Sequence, residues 1–283
     1  MENMLKIGSK LAIKLRTSFK IIAYTLLFLG TAMFCHHQTA GFTVNRISSS
    51  LILDEDKPEP ISFELSQILS QKFRFLGSGG SFYAFVSEDD KYVVKFFKHH
   101  HLKWNQPKKE RLVRSIKVAY ESFRSETGLL FVHLNKAHKF NHSLRIIDKI
   151  GIEHQIDLNN TEFLLQRKAE LIDSQIKALM IRGDLVGAKQ LLGQLVQFFH
   201  SMAQRLNEKG YFDHDPNILT NYGVAGDKII KIDVGPFYSL DNTKANKQRD
   251  KLKKRLNCFR DYLDARFPEL VPFFMAEIEG PQL

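Results

Sequence analysis

The chain has 283 residues, 43% hydrophobic and 25% charged, a globular composition that excludes a low-complexity chain. Its two cysteines, Cys35 and Cys258, exclude a disulfide-stapled scaffold and a cysteine-rich metal module. The net charge of +10 gathers in three runs, residues 1–50, Lys95–Lys117 and Lys244–Arg255. Such runs are solvated faces, or they contact an acidic membrane, a nucleic acid or a phosphorylated ligand.

At the N-terminus Lys6, Lys10, Lys14, Arg16 and Lys20 precede the apolar stretch Ile21–Cys35. As a helix this stretch is about 22 Å long, shorter than a hydrocarbon core of about 30 Å unless helix continues through His37. An uncleaved membrane anchor is expected. A signal peptide cleaved near Gly30-Thr31-Ala32, which would make the protein secreted, and a buried core helix are the alternatives. Lys6, Lys10 and Lys14 share one helical face, suited to an anionic surface. The basic flank predicts a cytoplasmic N-terminus, so one span would put the folded part outside, where a bacterial periplasm offers little ATP: either the segment does not cross, the domain reaches another ATP-containing compartment, or it does not use ATP. Residues 41–62, with the breaker run Asp54–Pro60, read as a linker. Glu64–Gln71 reads as a short helix.

Phe73–Lys98 then reads as three strands. Gly77, Gly79 and Gly80 join the first two, where glycine lets backbone N–H groups approach a phosphate. The third strand, Tyr92–Phe97, carries Lys95 inside an apolar run. Three adjacent histidines, His99-His100-His101, lack the spacing of ligands on one helical face. Glu110–Leu134 is expected to be a helix, with Glu121 and Glu126 as its candidate acids. Leu144–Leu158 and Thr161–Arg167 are expected to be two more strands.

A long helix is expected from an Asp184 cap to a Gly210 stop. It delivers Tyr211–Asn221, a loop that offers Asp213, His214, Asp215, Asn217 and Asn221. After a turn at Ala225-Gly226-Asp227, the strand Lys228–Ile232 runs into Asp233-Val234-Gly235. Asp241–Phe267 is expected to be a cationic helix with Leu252, Leu256, Phe259 and Leu263 inward, followed by a short helix opened by Pro268.

Over residues 70 to 240 this order of motifs resembles the protein-kinase-like superfamily: glycine-rich loop, strand lysine, Asp/Asn loop, then Asp-x-Gly after a strand. The resemblance implies an α+β, two-lobed fold. Its five-stranded antiparallel N-lobe would occupy residues 63–169 and its helical C-lobe 170–283, preceded by a hydrophobic segment at 1–40 and the linker at 41–62. It implies ATP and Mg²⁺. Gly77, Gly79, Gly80 and Lys95 would hold phosphates, Glu126 would hold Lys95, and Phe163–Ala169 would meet the adenine. Asp213 or Asp215 would orient an acceptor hydroxyl, and Asp233 with Asn221 or Asn217 would hold the metal. Departures from the pattern are plain. Phe82 replaces the third loop glycine, no His-Arg-Asp triplet occurs, the Asp-Phe-Gly motif is Asp-Val-Gly, and no Asp–Asn pair within the loop Tyr211–Asn221 has the usual five-residue spacing. The resemblance is therefore to a divergent, bacterial-type member acting on an unknown acceptor. The alternatives are an inactive scaffold that binds a partner or nucleotide, and a basic nucleic-acid or lipid-surface binder, for which no specific nucleic-acid motif occurs.

Overall fold

Apolar side chains without a core to enter need lipid or another protein, and the first helix of this α+β chain carries many. α1 (Glu2–Thr39) is one unbroken helix of 38 residues. Its part Ser18–Thr39, 22 residues of mean hydropathy 1.6, has no buried residue in its apolar window. At 1.5 Å per residue it is about 33 Å long, enough to cross a hydrocarbon core of about 30 Å. A signal sequence has the same properties. The computed structural model describes residues 2–48, 61–102, 106–134, 140, 143–215, 217–235, 237–239 and 245–280. The breaker run Asp54–Pro60, Lys244 and the side chains of the basic face at Lys6, Lys10 and Lys14 lie outside the described residues.

The segment after α1 differs from the expected linker. Gly41 turns the chain at φ +68°, and Phe42 and Ile47 then enter the sheet core at 4% and 0% exposure. Two apolar residues flanking one turn of 3₁₀ helix, Val44–Arg46, dock this short piece on the sheet, although the turn itself stays partly exposed. Ser62 caps α2 (Phe63–Ser70) by accepting from the Leu65 amide at 3.1 Å.

The hairpin strands β1 (Lys72–Ser78), β2 (Phe82–Ser87) and β3 (Tyr92–Phe97) follow, then α3 (His99–Leu102), α4 (Gln106–Ser122) and α5 (Arg124–Thr127). Next come β4 (Leu129–His133), β5 (Leu144–Ile147), β6 (Glu153–Ile156) and β7 (Phe163–Arg167). They form one seven-stranded mixed sheet, ordered β4-β7-β3-β2-β1-β5-β6, with β1 and β5 parallel. This corrects the five antiparallel strands expected. Leu144–Leu158 is two strands, because Gly151 at φ +89° turns the chain between them. The tail of the expected Glu110–Leu134 helix is a strand, because Gly128 at φ +64° stops α5 and the apolar run Leu129–Val132 then pairs with β7.

Strand alternation sets the position of the one lysine in β3. Val94 and Phe96 face the core that contains Phe42, Leu65 and Phe85. Phe97, and Lys95 two positions before it, lie on the opposite face, which α4 covers with Ile116 and Ala119.

The second half is largely helical: β8 (Glu170–Leu171), α6 (Ile172–Ile181), α7 (Leu185–Glu208), β9 (Tyr211–Asp213) and α8 (Ile218–Asn221). β10 (Tyr222–Ala225), β11 (Lys228–Lys231), β12 (Phe237–Ser239), α9 (Ala245–Arg266) and α10 (Val271–Glu279) complete it. The Asp184 carboxylate caps α7 on the Gly187 amide at 2.8 Å. Leu192 and Leu195 of α7 pack with Phe259 and Leu263 of α9 and Phe274 of α10. β10 lies between β11 and β8, and β12 pairs with β9.

Candidate functional site

Between the sheet and the helical half lies a cavity of about 1030 Å³. Its walls include Gly77, Gly79, Gly80, Lys95, Lys108, Arg111, the chain from Gln166 to Leu171, Asn221 and Asp233. The upper rim is the turn between β1 and β2, closed by the Gly79 amide donating to the Phe82 carbonyl at 2.9 Å. A Cβ on Gly77, Gly79 or Gly80 would meet nothing within 4 Å, so this backbone is open to a ligand. Lys98 holds the turn from behind, donating to the Gly79 carbonyl at 2.5 Å and the Ser78 hydroxyl at 2.6 Å. Burial, and then the charge of Arg46, push its ammonium pKa down.

Lys95 crosses from the sheet to the other half. Its ammonium donates to the Ile232 carbonyl at 2.7 Å. Gln166 bonds the same carbonyl at 3.1 Å and those of Lys231 and Thr127 at 3.2 and 2.6 Å. Together they fix the exit of β11, and the next residue, Asp233, enters the cavity. The Lys95 residue as a whole is only half-buried, yet its ammonium is desolvated, which pushes its pKa down to about 8 against the opposing pull of Asp233. Asp233 makes no hydrogen bond among the described residues, so its oxygens remain available. Gly235 leaves it room, since a Cβ there would lie 3.3 Å from the Asp233 Oδ2.

Glu126 goes elsewhere. It is buried on α5, where it pairs with Arg205 of α7 and accepts from the Ser125 hydroxyl at 2.7 Å, and Lys95 has no ion pair with it. The reason is the break at Phe123, where α4 stops and the chain turns the acid toward α7. Glu121 is exposed. In place of an acid, α4 presents Lys108 and Arg111 to the cavity.

The two aspartates of the lower loop have different surroundings. Asp213 accepts from Lys231 at 2.7 Å, the Tyr222 hydroxyl at 2.8 Å and the Asp215 amide at 2.9 Å. This pair is nearly dry, with side-chain exposures of 10% for Asp213 and 1% for Lys231. Burial, and then the Asp213 charge, push the Tyr222 phenol well above its usual pKa. The Asp215 side chain is 44% exposed and touches Arg255 at 3.0 Å. Asn221 lines the cavity and holds Asp215, donating to its carbonyl at 2.9 Å and its carboxylate at 3.2 Å. Asn217 instead caps α8, its side chain accepting from the Leu219 amide at 3.2 Å.

Sequence reasoning missed Gln166 and Lys231. Each adjoins a short apolar run, Phe163–Leu165 for Gln166 and Ile229–Ile230 for Lys231, a weaker form of the signal that singles out Lys95. It also read Lys108 and Arg111 only as members of a charged run.

The glycine turn, the five cations Lys95, Lys108, Arg111, Arg167 and Lys168, the carboxylates of Asp233 and of Glu170, which is paired with Lys168, and the amide side chains of Gln166 and Asn221 thus line a single cavity. That set can hold an oxyanion from the sheet side and a hard cation from the other. Among the described residues no three His, Cys, Asp or Glu side chains form a metal cage. A Mg²⁺ carried in with phosphates needs only one or two carboxylates from protein. No protein-family model matches this chain, and no curated protein is significantly similar to it.

Proposed function

We propose that the chain is a divergent kinase-like phosphotransferase, anchored to a membrane by α1 with its folded part in an ATP-containing compartment, that binds Mg-ATP in this cavity and phosphorylates a hydroxyl. The single observation that carries the reading is the meeting of Lys95 and Asp233, 138 positions apart in sequence, in one cavity beneath a glycine turn open to ligand. The sheet half serves as an N-lobe, and the helical half as a C-lobe. Lys95, with the amides of the glycine turn, holds phosphate oxygens. Asp233 and Asn221 would hold the metal. Bound magnesium would neutralise the charge on the terminal phosphate oxygens during transfer. Asp215 is the aspartate with an accessible carboxylate, and it orients the acceptor hydroxyl and draws off its proton. Asn221 sets its position. Asp213 supports the loop through Lys231 and does not take part in the transfer.

The test is a thermal shift with ATP, with and without magnesium. The intact protein should be stabilised only when both are present, and Lys95→Ala and Asp233→Ala should each abolish the shift. A shift that survives both substitutions overturns the reading. One observation favours a second reading, a nucleotide-binding scaffold without turnover. Glu126 is committed to Arg205, which leaves Lys95 without the acid that an active kinase-like site employs. Under that reading the shift persists and phosphate transfer stays at the buffer level.

A further inference from the structure

The tip of the β5–β6 hairpin exposes two isoleucines, Ile150 at 51% and Ile152 at 52%, on a turn that a polar sequence would close as well. The turn itself is firmly built. The Asp148 carboxylate accepts from the amides of Ile150 and Ile152 at 3.1 and 2.9 Å and meets His154 at 2.8 Å. These bonds hold the carboxyl pKa below its usual value against the effect of burial. His154 in turn lies edge-on to Phe42, 5.7 Å between ring centres. The two side chains are therefore presented to the outside by a rigid frame.

What lies beside the tip is the end of α1. Lys149 donates to the His37 carbonyl at 2.9 Å. His37 is two residues from the end of the apolar stretch Ser18–Thr39, about 3 Å along the helix axis. Met33 and Phe34, at 74% and 63% exposure, lie about one turn below. A membrane that encloses α1 up to Thr39 would thus have its boundary at the height of this tip, where apolar and cationic side chains belong together.

We infer that the turn Lys149–Ile152 inserts into the interface of the membrane that α1 crosses, its isoleucines reaching the acyl boundary and Lys149 remaining at headgroup level. The partner is phospholipid. The inference rests on the membrane anchoring in the proposed function and is independent of its chemistry.

The experiment uses the full chain in vesicles of phosphatidylcholine and phosphatidylglycerol. Cys35 and Cys258, both free and exposed, are replaced by Ser, and one cysteine is introduced by Ile152→Cys, or by Ile150→Cys if the first variant folds poorly. The cysteine carries an environment-sensitive fluorophore, and lipids with a nitroxide near the headgroup act as quencher. Two references bracket the result. One is the label on native Cys35, within the apolar stretch. The other is Glu88→Cys, in the β2–β3 turn at the opposite end of the sheet. The expected result is blue-shifted emission and quenching at Ile152 close to that at Cys35, with neither at Glu88. Emission and quenching at Ile152 equal to those at Glu88, with Cys35 quenched, overturn the inference. Absence of quenching at Cys35 overturns it together with the anchor. Both outcomes are separable from the chemistry, which the magnesium-dependent nucleotide shift reads on the same protein.

Discussion

On the sheet side of the cavity the polar groups are held by backbone geometry, and on the opposite side they are held by one another. The glycine turn is shaped by amide–carbonyl bonds and by Lys98 behind it, and its three glycines leave open space along the cavity wall. The lower loop is a web in which Lys231, Tyr222, Arg255 and Asn221 bind the two aspartates. The contrast separates residues that hold the site's shape from residues that are available to a ligand. Asp213 and Asp215, two positions apart, differ in exposure, 10% against 44% for their side chains, and neither lines the cavity itself.

The largest expected effect tests this division directly. Asp215→Asn should lower phosphate transfer by about 10²–10⁴-fold, the usual worth of a positioned acid or base. Its half-exposed contact with Arg255 and one long bond from Asn221, which an amide oxygen can still accept, predict a stability change within about 1 kcal/mol. Turnover assays and denaturant titration of one preparation read both. Equal losses of stability in Asp213→Asn and Asp215→Asn would erase the distinction.

Lys231→Ala should act through the fold. It leaves the Asp213 carboxylate buried without its counter-charge, a loss of about 3–5 kcal/mol in thermal or urea unfolding. A loss below about 1 kcal/mol would mean that the web is not what holds the loop.

The third prediction concerns pH. Anionic phosphate binds the charged form of Lys95, whose pKa in the free protein is about 8. Nucleotide affinity should therefore be full below pH 8 and fall by up to about tenfold per pH unit above it, until the pKa of the complex is reached. Lys95→Arg, which stays charged, should flatten that profile in calorimetric titrations. For the fold the sign is opposite. A depressed lysine pKa means that the unfolded chain binds more protons between about pH 8 and 10.5, so this residue's contribution to stability rises with pH across that window.

The smallest effects compare two glycines. Gly128→Ala places a Cβ 2.7 Å from the Ile230 Cδ1 at φ +64° and should cost about 1–2 kcal/mol in unfolding experiments. Gly80→Ala meets open space and should change stability by less than about 0.5 kcal/mol, while a ligand seated against the turn should bind more weakly.

Much of this was legible in the chain itself. The alternation in Tyr92–Phe97, the three- and four-residue steps of α7 and the inward residues of α9 are long, regular patterns, and regular patterns survive folding. What failed was local and short. Residues 41–48 carry only two strongly buried apolar side chains, too few to outweigh their turn-forming neighbours in a sequence reading. Glu126 was assigned to Lys95 because the break at Phe123, which rotates the acid away, has no glycine or proline to announce it. The choice between Asp213 and Asp215 was closed to sequence reasoning for another reason. It depends on Lys231, eighteen residues on, and on the strand pairing that brings its ammonium back under the loop.

The turn after α1 is tied to the sheet. The Gly41 carbonyl accepts from the Tyr83 hydroxyl at 2.6 Å and from Arg46 at 2.5 Å, and the Tyr83 ring lies 4.5 Å from the ammonium of Lys98 that grips the glycine turn. A helix joined to the sheet in this way ends one tyrosine away from the roof of the cavity, since the same Tyr83 touches the turn after α1 and the lysine that holds the glycine turn.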